Sequence, residues 1–173
     1  MIMKKTYSIP TTSILDMEMS SILSSSIRNE RSTIPKTTAP SVVAEYSSLT
    51  RRQKLAALNL MFCFGCGSCS NNFEHVPKVD HILVSECKRM EILKSELTAS
   101  TNMFSGMPDM VDNLRGVDKV ALEKIFIAIY CIIAIGKSEE AVRALLAIYE
   151  QLGFSEQDCL SILEKSTGVK VSE

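Results

Sequence analysis

Both histidines and four of the six cysteines of this chain stand between Cys63 and Cys87. The tightest part is Cys63-Phe64-Gly65-Cys66-Gly67-Ser68-Cys69, two overlapping C-x-x-C units, followed by His75, His81 and Cys87. A C-x-x-C turn can aim two sulfurs at one centre, which is why thiolate metal sites use it. Zinc asks for four sulfur or nitrogen ligands in a tetrahedron. Cys63, Cys66 and Cys69 would supply three of them, and His75, His81 or Cys87 the fourth; Cys66, Cys69 and His75 form the most compact trio. Thiol–disulfide exchange at Cys66-Gly67-Ser68-Cys69 is a second chemistry, but it calls for a βαβ setting and nothing beside this stretch reads as strand. No Ser/His/Asp set, Gly-rich phosphate loop or paired-acid pattern joins the histidines, so the expectation is a non-enzymatic protein.

The same seven residues resemble the first three ligands of a ferredoxin-type iron–sulfur motif, internal glycines included. That resemblance implies a small electron carrier whose cluster is held by Cys63, Cys66, Cys69 and Cys87. In that family the fourth cysteine usually follows three residues on and precedes a proline; here position 73 is Phe, and Cys87 is the next cysteine. Packing is the competing reading for every thiol, because reduced Cys is often buried. Cys131 and Cys159, each alone on an apolar helical face, read as core, and Cys87 fits its own helix's stripe as well as it fits a metal.

Composition bounds what these residues can serve. The chain has 173 residues, 46% of them hydrophobic, with a formal net charge of −1 at pH 7. That is one domain, or one domain with a tail, with apolar material enough for a core. Near-neutrality gives no long-range attraction to a phosphate backbone, so nucleic acid would need a local patch; Arg51, Arg52 and Lys54 are the candidate. Trp is absent and aromatics are only 6%, which leans towards helices. Lys4 and Lys5 look like the start of a secretory signal, yet Pro10 and several hydroxyls stand where its apolar stretch should be. The expectation is therefore a cytoplasmic, reducing setting, where clustered thiols mean metal or catalysis more often than disulfides.

The elements that must position the cysteines are mostly helical. Residues 1–40 mix Pro10, Pro35 and Pro40 with many Ser and Thr and read as an arm, with Ile14–Ile27 its one stretch apolar enough to fold. Thr50-Arg51-Arg52-Gln53 is a capping box opening a helix through Phe62, with Leu55, Leu58 and Phe62 on its core face. Gly65 and Gly67 are expected to end that helix and leave the cysteines in a loop over 63–75. After Pro77, Asp80 is expected to cap a helix over about 81–99, whose stripe is Leu83, Cys87, Met90, Leu93 and Leu97. A short helix over Asp109–Leu114 follows. Asp118 then caps the most apolar element, which Gly136 ends. Its run from Ile125 to Ile135 is far shorter than the roughly twenty residues that span a bilayer. Ser138 caps a helix over Glu139–Leu152, and Ser155 a last one to Lys165. A faint self-similarity links Ala128-Ile129-Tyr130…Gly136 with Ala147-Ile148-Tyr149…Gly153.

These readings give an all-α chain: a bundle of four to six helices around a central buried helix at about 119–135, with a Cys-rich loop at 63–75. The domains would be the arm, 1–40, and a helical body, 41–173. The expected function is a bacterial or viral helical interaction module, its loop held by zinc at Cys63, Cys66, Cys69, His75 and Cys87. It would bind a protein partner or a second copy of itself rather than a membrane. The alternatives are an iron–sulfur redox subunit and a structural component of a larger assembly without metal.

Overall fold

The computed structural model describes residues 45–70 and 72–168; the arm over 1–40 and the stretch Ile14–Ile27 lie outside them. Within the described residues 76% are helical and there is no strand. Seven α-helices follow a short turn at Glu45–Ser48: α1 Arg51–Cys69, α2 Val76–Met90, α3 Lys94–Ala99, α4 Met107–Leu114, α5 Lys119–Gly136, α6 Glu139–Gln151 and α7 Glu156–Thr167, with a 3-10 turn at Phe73–His75 between α1 and α2.

The starts of these helices follow from side-chain caps. Thr50 accepts from the Gln53 amide at 3.2 Å while Gln53 accepts from the Thr50 amide at 2.9 Å, so the capping box forms as expected. Asp118, Ser138 and Ser155 cap α5, α6 and α7 through the third amide of each helix. Ser48 donates to the second oxygen of Asp118, and that bond, more than the cap itself, holds the carboxyl below its usual range. No side chain caps α2. It opens at Val76 with Pro77 in its first turn, where proline costs no hydrogen bond. Asp80, expected to be the cap, lies inside the helix and pairs with Lys94 at 2.8 Å.

Two expected elements differ in the structure. The helix anticipated over 81–99 is broken, because Glu91 takes a left-handed conformation (φ 57°) and the Ile92 amide closes back on the Cys87 carbonyl at 2.9 Å. The break moves Leu93 off the stripe into an extended capping position, 71% exposed, while Ile92 is buried. A non-glycine residue at the turn left no mark in the sequence, and the split raises the helix count to seven. Phe62, placed on the core face of α1, is 42% exposed. Seven consecutive residues before it, Leu55–Met61, are all buried, because α5, α4 and α2 surround that part of α1.

α1 and α5 form the most extensive helix pair and carry most of the core. α5 is buried as expected, with Ile125, Ile129, Ile132 and Ile133 sealed. Asn59, a buried polar side chain of α1, donates from Nδ2 to the Leu55 carbonyl and to Ser100 Oγ, each at 2.8 Å, and Ser100 donates on to the Leu97 carbonyl at 2.7 Å. That chain of bonds ties α1 to the end of α3. Tyr149 ties α6 to α5: its hydroxyl donates to the Leu122 carbonyl at 2.6 Å and its ring packs edge-on against Phe126 and Phe154. The glycines of the faint repeat are not equivalent, since Gly136 is helical and Gly153 is a left-handed turn residue (φ 92°). Among the described residues, no helix is long and apolar enough to cross a membrane.

The turn before α1 is anchored by a buried carboxyl. Tyr46 donates to Glu86 Oε2 at 2.7 Å, and Arg89 reaches Oε1 at 3.1 Å, with Glu86 only 5% exposed. Burial pushes the Glu86 carboxyl up, against the opposing pull of Arg89 and the Tyr46 bond. A folded value above the unfolded one means the native chain holds this proton more tightly. Its stabilising contribution is therefore present at acid pH and is lost as pH rises through the folded value. Glu86→Gln keeps an acceptor for Tyr46 and cannot ionise. Its melting temperature, compared with wild type, should shift in the variant's favour between pH 5 and pH 8; an equal difference at both pH values would contradict a buried ionising carboxyl.

Candidate functional site

The cysteines expected in a loop stand on a helix. α1 continues without interruption through Gly65 and Gly67 to Cys69. Gly65 is there for contact, not for a turn: a Cβ at this position would lie 2.7 Å from Val79 Cγ1 on α2. Gly136 plays the same part on α5. A Cβ there would meet the Ser68 backbone Cα at 2.8 Å and its Cβ at 3.0 Å, and the close approach lets Ser68 Oγ donate to the Ile132 carbonyl at 2.9 Å. The left-handed residue that ends α5 is accordingly Lys137 (φ 52°), one position past the expected Gly136. Small residues at a crossing let backbones approach, and a glycine read as a breaker can be a packing residue instead.

Helix geometry then determines what the thiols can do together. Cys63, Cys66 and Cys69 climb by roughly 4.5 Å at each step and turn by roughly 60°. Cys66 is exposed and lies between two partly buried thiols. Burial first, and then the proximity of Cys66, raises both the Cys63 and the Cys69 thiol above the ordinary range. Cys66 and Cys69 also occupy the C-terminal end of α1, where the helix dipole disfavours a thiolate, and no basic residue stands in that turn to offset it. Thiol redox catalysts use the opposite arrangement, with the thiol at a helix N-terminus.

The other candidate ligands are placed elsewhere. His75 closes the end of α1, its Nδ1 donating to the Ser68 carbonyl at 2.8 Å, and Asn72 Nδ2 lies 3.3 Å from Nε2. Those contacts assign the proton to Nδ1 and leave Nε2 as the acceptor. His81 and Cys87 lie on α2. Cys87 is buried, its thiol raised mainly by burial, and the charged groups acting on it are Glu86, Lys94 and Asp80 rather than the α1 cysteines. It lines a small apolar pocket of about 110 Å³ with Phe62, Leu83, Val84 and Leu97. Cys159 is buried in the core as expected, and Cys131 is half-buried on α5. Among the described residues no group of three or more His, Cys, Asp or Glu side chains is assembled to hold a metal ion. A tetrahedral zinc on Cys63, Cys66, Cys69 and His75 would require the last turn of α1 to open and His75 Nε2 to give up its contact with Asn72.

The basic start of α1 is engaged within the chain. Arg51 forms a two-pronged bond with Glu96, both contacts at 2.5 Å. Arg52 donates to Asn113 at 2.9 Å and lies over the Phe104 ring at 5.2 Å.

No protein-family model, curated protein or solved structure matches this chain.

What the sequence reading missed is the exposed apolar surface that continues from the cysteines. Phe62, Cys66 and Cys69 are spaced i, i+4, i+7 and so share one side of α1. The chain then runs directly into Phe73 and Val76, which are 88% and 45% exposed. The sequence signal was available in the i+4 step from Phe62 to Cys66. It was outweighed by the i+7 step from Leu55 to Phe62.

The helix account of this stretch depends on the α1–α5 crossing. Gly136→Ala places a methyl against the Ser68 backbone, which cannot rotate away, and should destabilise the chain by about 1–3 kcal/mol, the usual cost of overpacking. Urea unfolding measures it; a loss below about 0.5 kcal/mol, the range of an indifferent surface change, would contradict the crossing.

Proposed function

We propose that the chain is a non-enzymatic helical interaction module that binds another protein surface through the outer side of α1 and the turn after it. The single observation that supports this reading is Phe73: a phenyl ring 88% exposed in a 3-10 turn, with Val76 also open three residues on and Phe62 open on α1. An aromatic so exposed gives no stability to the isolated chain, and burying one on association contributes strongly to binding. The turn that carries it is well fixed. Asn72 accepts from the Glu74 amide at 2.9 Å, and His75 binds back to α1. A preorganised apolar anchor loses little freedom on binding.

Zinc would support a different reading, in which the metal reshapes the end of α1 into a knuckle. Adding zinc to the purified chain distinguishes the two, because only the knuckle requires helix to be lost. The iron–sulfur reading makes the stronger demand of bringing Cys87 out of its pocket beside α2.

The direct test of the interaction reading is Phe73→Asp, followed by sedimentation over a range of concentrations and by binding of a dye that reports exposed apolar surface. Wild type should bind the dye or self-associate, and the variant should do so less. Its melting temperature should stay within the roughly 0.5 kcal/mol of a surface change. Unaltered association and dye binding, or a clear loss of stability, would overturn the assignment of this face.

A further inference from the structure

We propose that Cys66 is the shared sulfur of a two-thiolate site for a soft monovalent metal ion, copper(I) being the test case, formed with either Cys63 or Cys69 on the intact α1 helix. This inference does not rest on the interaction reading.

The geometry excludes the alternatives one by one. Neighbours at i, i+3 on a helix hold their Cβ atoms about 5–6 Å apart. A disulfide needs about 3.5–4.5 Å, so Cys63–Cys66 or Cys66–Cys69 could join only by distorting the helix. Four-ligand tetrahedral binding needs sulfurs that converge. Cys63 and Cys69 instead stand about 9 Å apart along the axis and roughly 120° apart around it. An ion content with two sulfurs on opposite sides asks for neither convergence nor close approach. It bridges thiolates farther apart than a sulfur–sulfur bond does, as adjacent positions on a helix already provide.

Position and chemistry agree with that choice. Thiolate sulfur is a soft donor and selects copper(I) over harder cations. Cys66 is exposed, giving the ion an entry, and its partners are half-buried, shielding the bound ion from water on one side. Cys66 and Cys69 fall in the last turn of α1; two thiolates with one copper(I) ion carry a net charge of −1, half of what two bare thiolates would place at the negative end of the helix dipole. The step balances simply: two thiols release two protons, one copper(I) ion takes their place, and no electron is transferred.

The central place of Cys66 gives a pattern that no three-ligand site shares. The test uses the full chain, kept reduced under nitrogen, with copper(I) supplied against a coloured copper(I) chelator and helix content followed by circular dichroism on the same samples. Cys66→Ser should weaken binding by more than the roughly 10–100-fold that losing an outer-shell partner of a metal costs. Cys63→Ser and Cys69→Ser should each keep binding, since Cys66 still has one neighbour, and the Cys63→Ser/Cys69→Ser pair should lose it as Cys66→Ser does. Helicity should be unchanged on loading, and the unloaded variants should match wild type. Binding by Cys66→Ser as tight as wild type would overturn the site. So would loss in each single variant, which marks a three-thiolate centre, or a fall in helicity on loading, which marks an unwound knuckle.

Discussion

The close crossing of α1 over α5 is the contact on which the rest of the structure depends. Gly136 leaves no side chain between the two backbones, and Ser68 uses the space to bond the Ile132 carbonyl. Gly65 leaves room on α1 for the Val79 side chain of α2. Because the C-terminal half of α1 is held from two directions, it remains helical where glycine alone would favour a break. The cysteine spacing, the open Phe62–Cys66 side and the turn that displays Phe73 all follow from that continuity. His75 completes the arrangement by bonding the Ser68 carbonyl, so one residue faces α5 through its hydroxyl and the following turn through its carbonyl.

Much of the fold was legible in the sequence for reasons that are local. Side-chain caps act within four residues, and Thr50, Asp118, Ser138 and Ser155 all open helices where expected. The run Ile125–Ile135 could only be core, and it is. What was not legible depends on distant partners. Whether Gly65 and Gly136 break helices or permit crossings is decided by Val79 and Ser68, neither of them near in sequence to the glycine it meets. The left-handed turns at Glu91 and Lys137 use residues that carry no signal for that conformation. Asp80 had the type and position of a cap and is instead part of an ion pair with Lys94.

The candidate site was found by residue type and misjudged in shape. Clustered cysteines drew attention to the right segment, but a loop would let three sulfurs converge and a helix makes them diverge. That change shifts the fitting chemistry from a four-ligand centre towards a linear ion on two thiolates. It also exposes one side of α1, where Phe62 and Phe73 flank the cysteines in the chain.

The continuity of α1 through the cysteines is therefore the claim to test first, and thermal unfolding of Gly67→Ala tests it most directly. Gly67 is exposed, helical, and has no atom within 4 Å of where a Cβ would stand. In a helix, alanine replaces glycine with a gain of about 0.5–1 kcal/mol. The account requires a higher melting temperature for the variant. A lower one would mean that Gly67 serves a turn that alanine cannot adopt, and that the cysteines stand in a loop after all.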